Sequence, residues 1–254
     1  MRFYCWILGF VLAIAVGPAH AAERSGQREV DVALVLAVDV SSSVDEGEAG
    51  IQRAGYIAAM RDPRVADAIR GGLYGRIALT YVEWSSPTDQ RVVIPWREIS
   101  DGAGATSFAD ELKASAYKPG STTSISGGID FATNLLLTSG FQSLRRVIDI
   151  SGDGYSDYGR PVRAARDAAV KAGIIINGLP IMNERAAYRT KIPPDLDKYY
   201  TENVTGGRGS FTLVVKNLED FHKLVLQKLI LEIAQLQDHR EADDGVPKIV
   251  KARS

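Results

Sequence analysis

Cysteine and histidine are the scarcest chemistry-bearing residues of this sequence. Among its 254 residues only Cys5 is a cysteine, and three are histidines. Cys5 and His20 both lie in a leader that we expect to be removed. The mature chain then has no thiol, which excludes disulfides, a thiol nucleophile and a cysteine-ligated metal. His222 and His239 lie on or after the last predicted helix, so no Ser-His-Asp triad is credible.

Clusters of basic residues are also missing. The chain has 30 Lys and Arg against 31 Asp and Glu, and its formal net charge is −1. It has no basic stripe and no Lys/Arg cluster interleaved with aromatic residues. We therefore expect no nucleic acid partner.

Long apolar runs are absent except at the N-terminus. Residues 3–16 are almost wholly apolar, follow Arg2, and precede a small-x-small site at 19–21. The run is shorter than the ~20 residues that span a bilayer. The order of features predicts a signal peptide, residues 1–21, cleaved before Ala22. An uncleaved anchor is the alternative. The mature protein is expected to be periplasmic or secreted, without stable membrane insertion.

The rest of the sequence predicts one domain. Residues 22–29 are polar and indicate a short linker, residues 30–237 form the predicted domain, and 238–254 form a charged tail that we expect to be disordered. A domain of this size buries enough apolar surface to fold without disulfides.

Strand-like and helix-like segments alternate along the domain. Residues 30–38 are nearly continuous Val, Leu and Ala, which favours a strand buried on both faces. The turn before 91–95 is too short for a crossover, so this strand should pair antiparallel at the sheet edge. We predict strands at 30–38, 77–84, 91–95, 146–151, 174–179 and 211–215. The expected fold is α/β: a doubly wound, mostly parallel six-stranded sheet, order 3-2-1-4-5-6, with helices on both faces.

The first strand ends in a polar motif. Asp39 is followed by Ser41 and Ser43 at alternating positions, directly before a helix that spans 45–61. A carboxylate at the end of a buried strand is costly unless something compensates it. Taken alone, the motif is equally explained by Ser43 capping the helix and Asp39 binding backbone amides.

Two other oxygen-rich turns change this interpretation. Thr123 lies in a polar turn before a helix, with Thr122 as the alternative side chain, and Asp153 follows the fourth strand between two glycines. In open α/β sheets, ligands bind where the strand order reverses, here between strands one and four. Asp39 and Asp153 end those two strands. Two carboxylates and several hydroxyls, with no His or Cys, favour Mg²⁺ or Mn²⁺.

These residues resemble the three-part metal-ion-dependent adhesion site (MIDAS) of von Willebrand factor A (vWA) domains. The resemblance runs from about residue 30 to 234. The Ser-Gly-Asp-Gly and Tyr-Tyr-x-Glu-Asn-Val-x-Gly-Gly segments are similar to those of an exported bacterial family with this fold and no assigned function. The resemblance implies that Asp39, Ser41, Ser43 and Thr123 surround the ion, that Asp153 often acts through water, and that a partner's Asp or Glu carboxylate completes the coordination.

One departure limits the resemblance to a single ion. Integrin-like A domains carry an adjacent acidic pair for a second ion, and Asp45 and Glu46 are too close to Ser43 to match it. The predicted function is therefore a one-metal protein-binding module and not an enzyme. The alternatives are a Mg²⁺-dependent hydrolase, which would need a general base and a phosphate clamp that are not evident, and a structural domain with a vestigial site.

Two further features carry open expectations. Asp149 interrupts an apolar strand and must find donors, for which Arg145, Arg146, backbone groups or serine hydroxyls are candidates. The insertion 182–209 is long and rich in Tyr and Arg. It either selects the partner beside the metal or folds back over the sheet edge with its tyrosines buried.

Overall fold

One central sheet organises the molecule. The structure, a computed structural model, describes residues 28–182 and 193–234. The strands are β1 (Arg28–Asp39), β2 (Ile77–Trp84), β3 (Gln90–Ile99), β4 (Phe141–Gly152) and β5 (Ile174–Pro180). Their order is β3-β2-β1-β4-β5, and β3 pairs antiparallel with β2 while the other neighbours are parallel. The predicted α/β class, strand order and antiparallel edge are confirmed.

The predicted sixth strand, residues 211–215, is not a full strand. It runs beside β5 and forms two isolated parallel bridges there, through Thr212 and Val215. Gly206 already pairs with the middle of β5, and Pro180 has no N–H to extend the ladder. The described part of the chain therefore holds a five-stranded sheet with a loosely attached edge segment.

Helices cover both faces of the sheet. They are α1 (Glu46–Met60), α2 (Pro63–Arg70), α3 (Gly102–Ala114), α4 (Ile125–Leu137), α5 (Val162–Lys171), α6 (Leu196–Tyr199) and α7 (Phe221–Ala234). A π-helical turn, Tyr200–Val204, follows α6 directly. Helix α2 was not predicted, although Asp62 caps it and Pro63 is its first residue.

The alternation along β1 explains the two layers. Val32, Leu34 and Leu36 contribute to one core, with side chains of α1, α2, α3 and α7. Ala33 and Val35 face the opposite core, with side chains of α4, α5 and the 196–204 segment. Successive strand residues point to opposite faces, so a strand covered on both sides has to be apolar throughout.

Asp149 is paired with a lysine that was not among the expected donors. The Lys228 ammonium, on α7, lies 2.7 Å from Asp149 Oδ1, and both side chains are almost fully buried. Lys228 also bonds to Glu232, which accepts a 2.9 Å hydrogen bond from Asn177. Arg145, one of the expected partners, donates instead to the backbone carbonyl of Glu232. This buried network ties α7 to β4 and β5.

No helix within residues 28–182 and 193–234 has the length and apolar character needed to cross a bilayer. The predicted signal peptide and the tail at 238–254 lie outside the described residues.

Candidate metal centre

The polar strand ends meet at the middle of the sheet. β1 and β4 are direct neighbours, and their register runs to Val38 opposite Ser151. Asp39 ends β1, and Asp153 directly follows β4. The chain proceeds from β1 to β2 on one side and from β4 to β5 on the other, so the crevice between them is the switch point of the sheet.

A chain of short hydrogen bonds links the two carboxylates. Ser41 donates its backbone N–H to Asp39 Oδ1 at 2.7 Å. The Ser41 and Ser43 hydroxyls lie 3.0 Å apart, and Ser43 donates to Asp153 Oδ1 at 2.6 Å. The structure thus brings together all four residues, although Ser43 and Asp153 are 110 positions apart in the sequence.

Ser43 is available for this contact because another residue caps α1. Asp45 accepts the N–H of Glu48, and the Glu48 side chain reaches back to the N–H of Asp45. This capping box satisfies the helix terminus without a serine. The alternative interpretation of Ser43 as the cap is therefore wrong.

The Thr123 turn is held against both neighbouring loops. Gly120 donates its N–H to the Val40 carbonyl at 2.6 Å, and Ser124 donates to the Ser85 carbonyl at 2.7 Å. A methyl group on Gly120 would lie 2.2 Å from Cβ of Ser85, so only glycine permits this approach. The contacts fix the turn beside the end of β1.

Thr123 is the more buried of the two threonines in this turn. Its side chain is 7% exposed, and its Oγ1 would lie 4.0 Å from a methyl group placed on Gly154. Thr122 is half-buried. Thr123 therefore lies beside the loop that carries Asp153, while Asp39, Ser41, Ser43 and Asp153 are linked by hydrogen bonds.

The two carboxyl groups of the crevice are buried without a positively charged partner among the described residues. Asp39 is 1% and Asp153 6% exposed. Burial, and next the nearby Asp153 carboxylate, raise the pKa of Asp39, and burial raises the pKa of Asp153. No Lys or Arg of the described ranges forms a salt bridge with either group, and Asp39 Oδ2 has no hydrogen-bond partner there. A bound cation would remove this cost.

The ligand set fits a hard divalent cation. Among the described residues, no three His, Cys, Asp or Glu side chains are placed so that they could hold a metal ion together. A cation here would rely on two carboxylates, three hydroxyls and water. Mg²⁺ accepts such a set because it retains several waters and prefers oxygen. A site built for zinc ordinarily supplies His or Cys.

Two residues beside the site were not predicted as part of it. Tyr200, the first residue of the π-helical turn, is fully buried next to Asp39 and Asp153, and burial and these carboxylates raise its pKa. Gly152 was interpreted only as a turn residue.

The position of Tyr200 bears on the two expectations for the insertion 182–209. The described part of this insertion folds back onto the protein, with Tyr200 buried and Tyr199 half-buried. Residues 183–192, which hold Arg185, Tyr188, Arg189 and Lys191, lie outside the described ranges.

Solved structures share this fold at low sequence identity. Proximal thread matrix protein 1 from the mussel byssus, in a structure with a zinc-occupied MIDAS motif, matches with a TM-score of 0.58 and 14% identity over 82% of this chain and 49% of that chain. The pilus adhesin SpaC from Lactobacillus rhamnosus GG matches with a TM-score of 0.58 and 14% identity over 83% of this chain and 31% of its own.

A third solved structure carries the domain name itself. The von Willebrand factor type A protein from Catenulispora acidiphila matches with a TM-score of 0.55 and 11% identity over 80% of this chain and 43% of its own. The chain spans about half the length, or less, of these three proteins, and the likeness at such identities shows the fold alone. No similar sequence was found among curated proteins. The model of one family, Protein of unknown function (DUF1194), matches residues 29–237. The chain therefore belongs to the DUF1194 family and has the fold of vWA domains.

Proposed function

We propose that this protein is a metal-dependent protein-binding module of the adhesion type. The observation that carries the proposal is the pair of buried carboxylates, Asp39 and Asp153. They are linked at the switch point through the backbone N–H and hydroxyl of Ser41 and the hydroxyl of Ser43, and neither has a basic partner among the described residues. Such a pair is stable at neutral pH when a cation neutralises it.

Five side chains would hold the ion. Asp39, Ser41, Ser43, Thr123 and Asp153 supply oxygen ligands for Mg²⁺ or Mn²⁺, directly or through water. When bound, the ion supplies a positive centre that attracts a carboxylate. Two carboxylates balance a divalent charge, while the hydroxyls add none. The neutral hydroxyls therefore leave room for one more anionic ligand, and we propose an Asp or Glu of a partner protein for that role.

Comparisons with solved structures support the metal and the binding role. One structural relative has a zinc-occupied MIDAS motif, and another is a pilus adhesin. The zinc in that relative does not change the metal proposed for this chain. The oxygen-only ligand set of this chain suits Mg²⁺ or Mn²⁺ better than zinc.

Binding to envelope proteins should depend on the metal. Immobilised mature protein should retain one or more proteins from an envelope extract of its host in Mg²⁺ and release them in EDTA. The matched bait Asp39→Asn should retain none of them, because it lacks one of the two charges that hold the ion. Equal retention in EDTA or by the variant would show that partners do not use this site.

Hydrolysis is the competing function that the same site could serve. A screen of generic phosphoesters with Mg²⁺ distinguishes the two, and turnover that disappears in Asp39→Asn would establish the hydrolase instead. A domain with a vestigial site would show neither turnover nor metal-dependent retention.

Export is part of the proposal and has its own test. An apolar leader with a small-residue cleavage site would send the chain to the periplasm or outside the cell. Protein isolated from its host should therefore begin at Ala22 or within a residue or two of it, as mass spectrometry can determine. An intact Met1 in the membrane fraction would instead support an uncleaved anchor.

A further inference from the structure

An unused hydroxyl lies against the candidate metal centre from the β5 side. Tyr200 is fully buried, and its hydroxyl has no hydrogen-bond partner among the described residues. From the position that a Cβ on Gly152 would occupy, this hydroxyl is 2.6 Å away and Asp39 Oδ2 is 2.9 Å away. Both oxygens therefore lie in the small space above Gly152. The distance between them is no greater than one water molecule can bridge with two hydrogen bonds.

The two groups are chemically complementary. Asp39 Oδ2 also lacks a hydrogen-bond partner among the described residues, whereas Oδ1 accepts the Ser41 N–H. A buried polar atom without a partner costs about 1–3 kcal/mol, and more when it is charged. A phenol donates and a carboxylate accepts, so one hydrogen bond, direct or through one water, would satisfy both groups.

The backbone places Tyr200 there by an irregular turn. The Thr205 N–H bonds to the Tyr200 carbonyl at 2.8 Å, five residues back, which closes the π-helical turn Tyr200–Val204. Leu196 and Val204, at the two ends of the 196–204 segment that contains this turn, are both buried in the core. Single π-turns are rare and frequently mark functional sites.

The sheet leaves room for the tyrosine ring. Gly152 and Gly178 lie on the neighbouring strands β4 and β5, and a methyl group on Gly178 would lie 2.9 Å from Cδ1 of Tyr200. A side chain at either position would collide with the ring or the hydroxyl. Two small residues and a π-turn thus combine to bring one hydroxyl to one carboxylate.

We propose that Tyr200 is a positioning residue of the metal centre. Its hydroxyl donates to Asp39 Oδ2, directly or through one water, and so fixes the orientation in which Asp39 meets the ion. The inference rests on the proposed metal site and adds a residue to it that lies outside the Asp-x-Ser-x-Ser, Thr and Asp positions. Groups of this kind orient ligands, and their loss typically weakens metal affinity by about 10–100-fold.

The test compares two adjacent tyrosines. Tyr200→Phe should weaken Mg²⁺ and Mn²⁺ binding by about 10-fold or more in calorimetric titrations. Tyr199→Phe, which removes a hydroxyl from the ring that packs at a tilt against Tyr155, should leave the affinity unchanged. The metal-free Tyr200→Phe variant should still melt in one cooperative transition, which separates a loss of metal affinity from a loss of folding. Metal should also perturb the near-ultraviolet tyrosine absorption in wild type and Tyr199→Phe but not in Tyr200→Phe.

A second pair of variants tests the same space without altering the tyrosine. Gly152→Ala places a methyl group against both oxygens and should weaken metal binding, whereas Gly154→Ala meets Thr123 at 3.9 Å and has room. If wild type binds metal and Tyr200→Phe binds it equally well with the same absorption change, Tyr200 does not position Asp39, and the metal site itself stands. If wild type binds no metal, both proposals fail.

Discussion

Asp39→Asn should weaken Mg²⁺ and Mn²⁺ binding by more than about 100-fold, because even groups that only orient a ligand contribute about 10–100-fold. The substitution keeps the size of the side chain and leaves Oδ1 to accept the Ser41 N–H. It removes one of the two charges that face the crevice. Isothermal titration of the metal-free protein with each ion measures the change.

Without metal, the same variant should be at least as stable as wild type. The pKa of Asp39 is raised by burial and by Asp153, so the folded state holds this proton more tightly than the unfolded chain does. Stability from this group is present at low pH and is lost as pH rises above the ordinary Asp value of 3.8. At neutral pH, metal-free Asp39→Asn should melt no lower than metal-free wild type.

Metal should then reverse the order of the two melting temperatures, so that wild type melts above Asp39→Asn. Binding to the native state raises the melting temperature of wild type by mass action, and the variant should gain little. Asp157→Asn, which removes an exposed carboxylate close to Asp153 in sequence, is the matched control and should respond like wild type. A wild type that shows neither heat of binding nor a melting shift with Mg²⁺ or Mn²⁺ would refute the site.

Lys228→Met should destabilise the protein by about 3–5 kcal/mol, because breaking a buried ion pair leaves charge without compensation. Lys228 lies between Asp149 and Glu232, and all three side chains are at most 1% exposed. Without the ammonium, two carboxylates share an apolar interior. Urea denaturation monitored by circular dichroism measures the loss, and Lys223→Met, which removes an exposed ion pair on the same helix, should stay within about 0.5 kcal/mol of wild type.

The destabilisation should depend on pH. Burial first, and the Asp149 charge, raise the pKa of Glu232 to about 7, above its ordinary value of 4.5. A raised carboxyl pKa means that stability is lost as pH rises from the unfolded value through the folded one. Lys228→Met should therefore be less destabilised near pH 5, where Glu232 is protonated. Adding Asp149→Asn and Glu232→Gln should restore much of the loss near neutral pH. Equal stability of Lys228→Met and wild type near neutral pH would show that the ammonium does not compensate these carboxylates.

The sequence by itself determined the layout of the sheet and the neighbourhood of the site. Continuous apolar runs and period-3.6 patterns are local, so the strands β1, β2, β4 and β5 could be located without coordinates. The switch-point rule then placed Asp39 beside Asp153, because parallel strands that are neighbours in the order bring their carboxyl ends to one edge. The Ser-Gly-Asp and Asp-x-Ser-x-Ser motifs are short contiguous stretches, so they could be recognised without coordinates.

Tertiary structure decided which groups pair across the molecule. Lys228 reaches Asp149 because α7 packs over β4, and no local pattern connects residues that far apart in sequence. Tyr200 reaches Asp39 because a π-turn and two glycines on neighbouring strands bring its hydroxyl there. The segment 211–215 fits a strand pattern and fails to become a full one because Gly206 already pairs with the edge of β5. Local propensity fixes elements, whereas the partner of a buried charge or an edge N–H depends on what the rest of the chain places next to it.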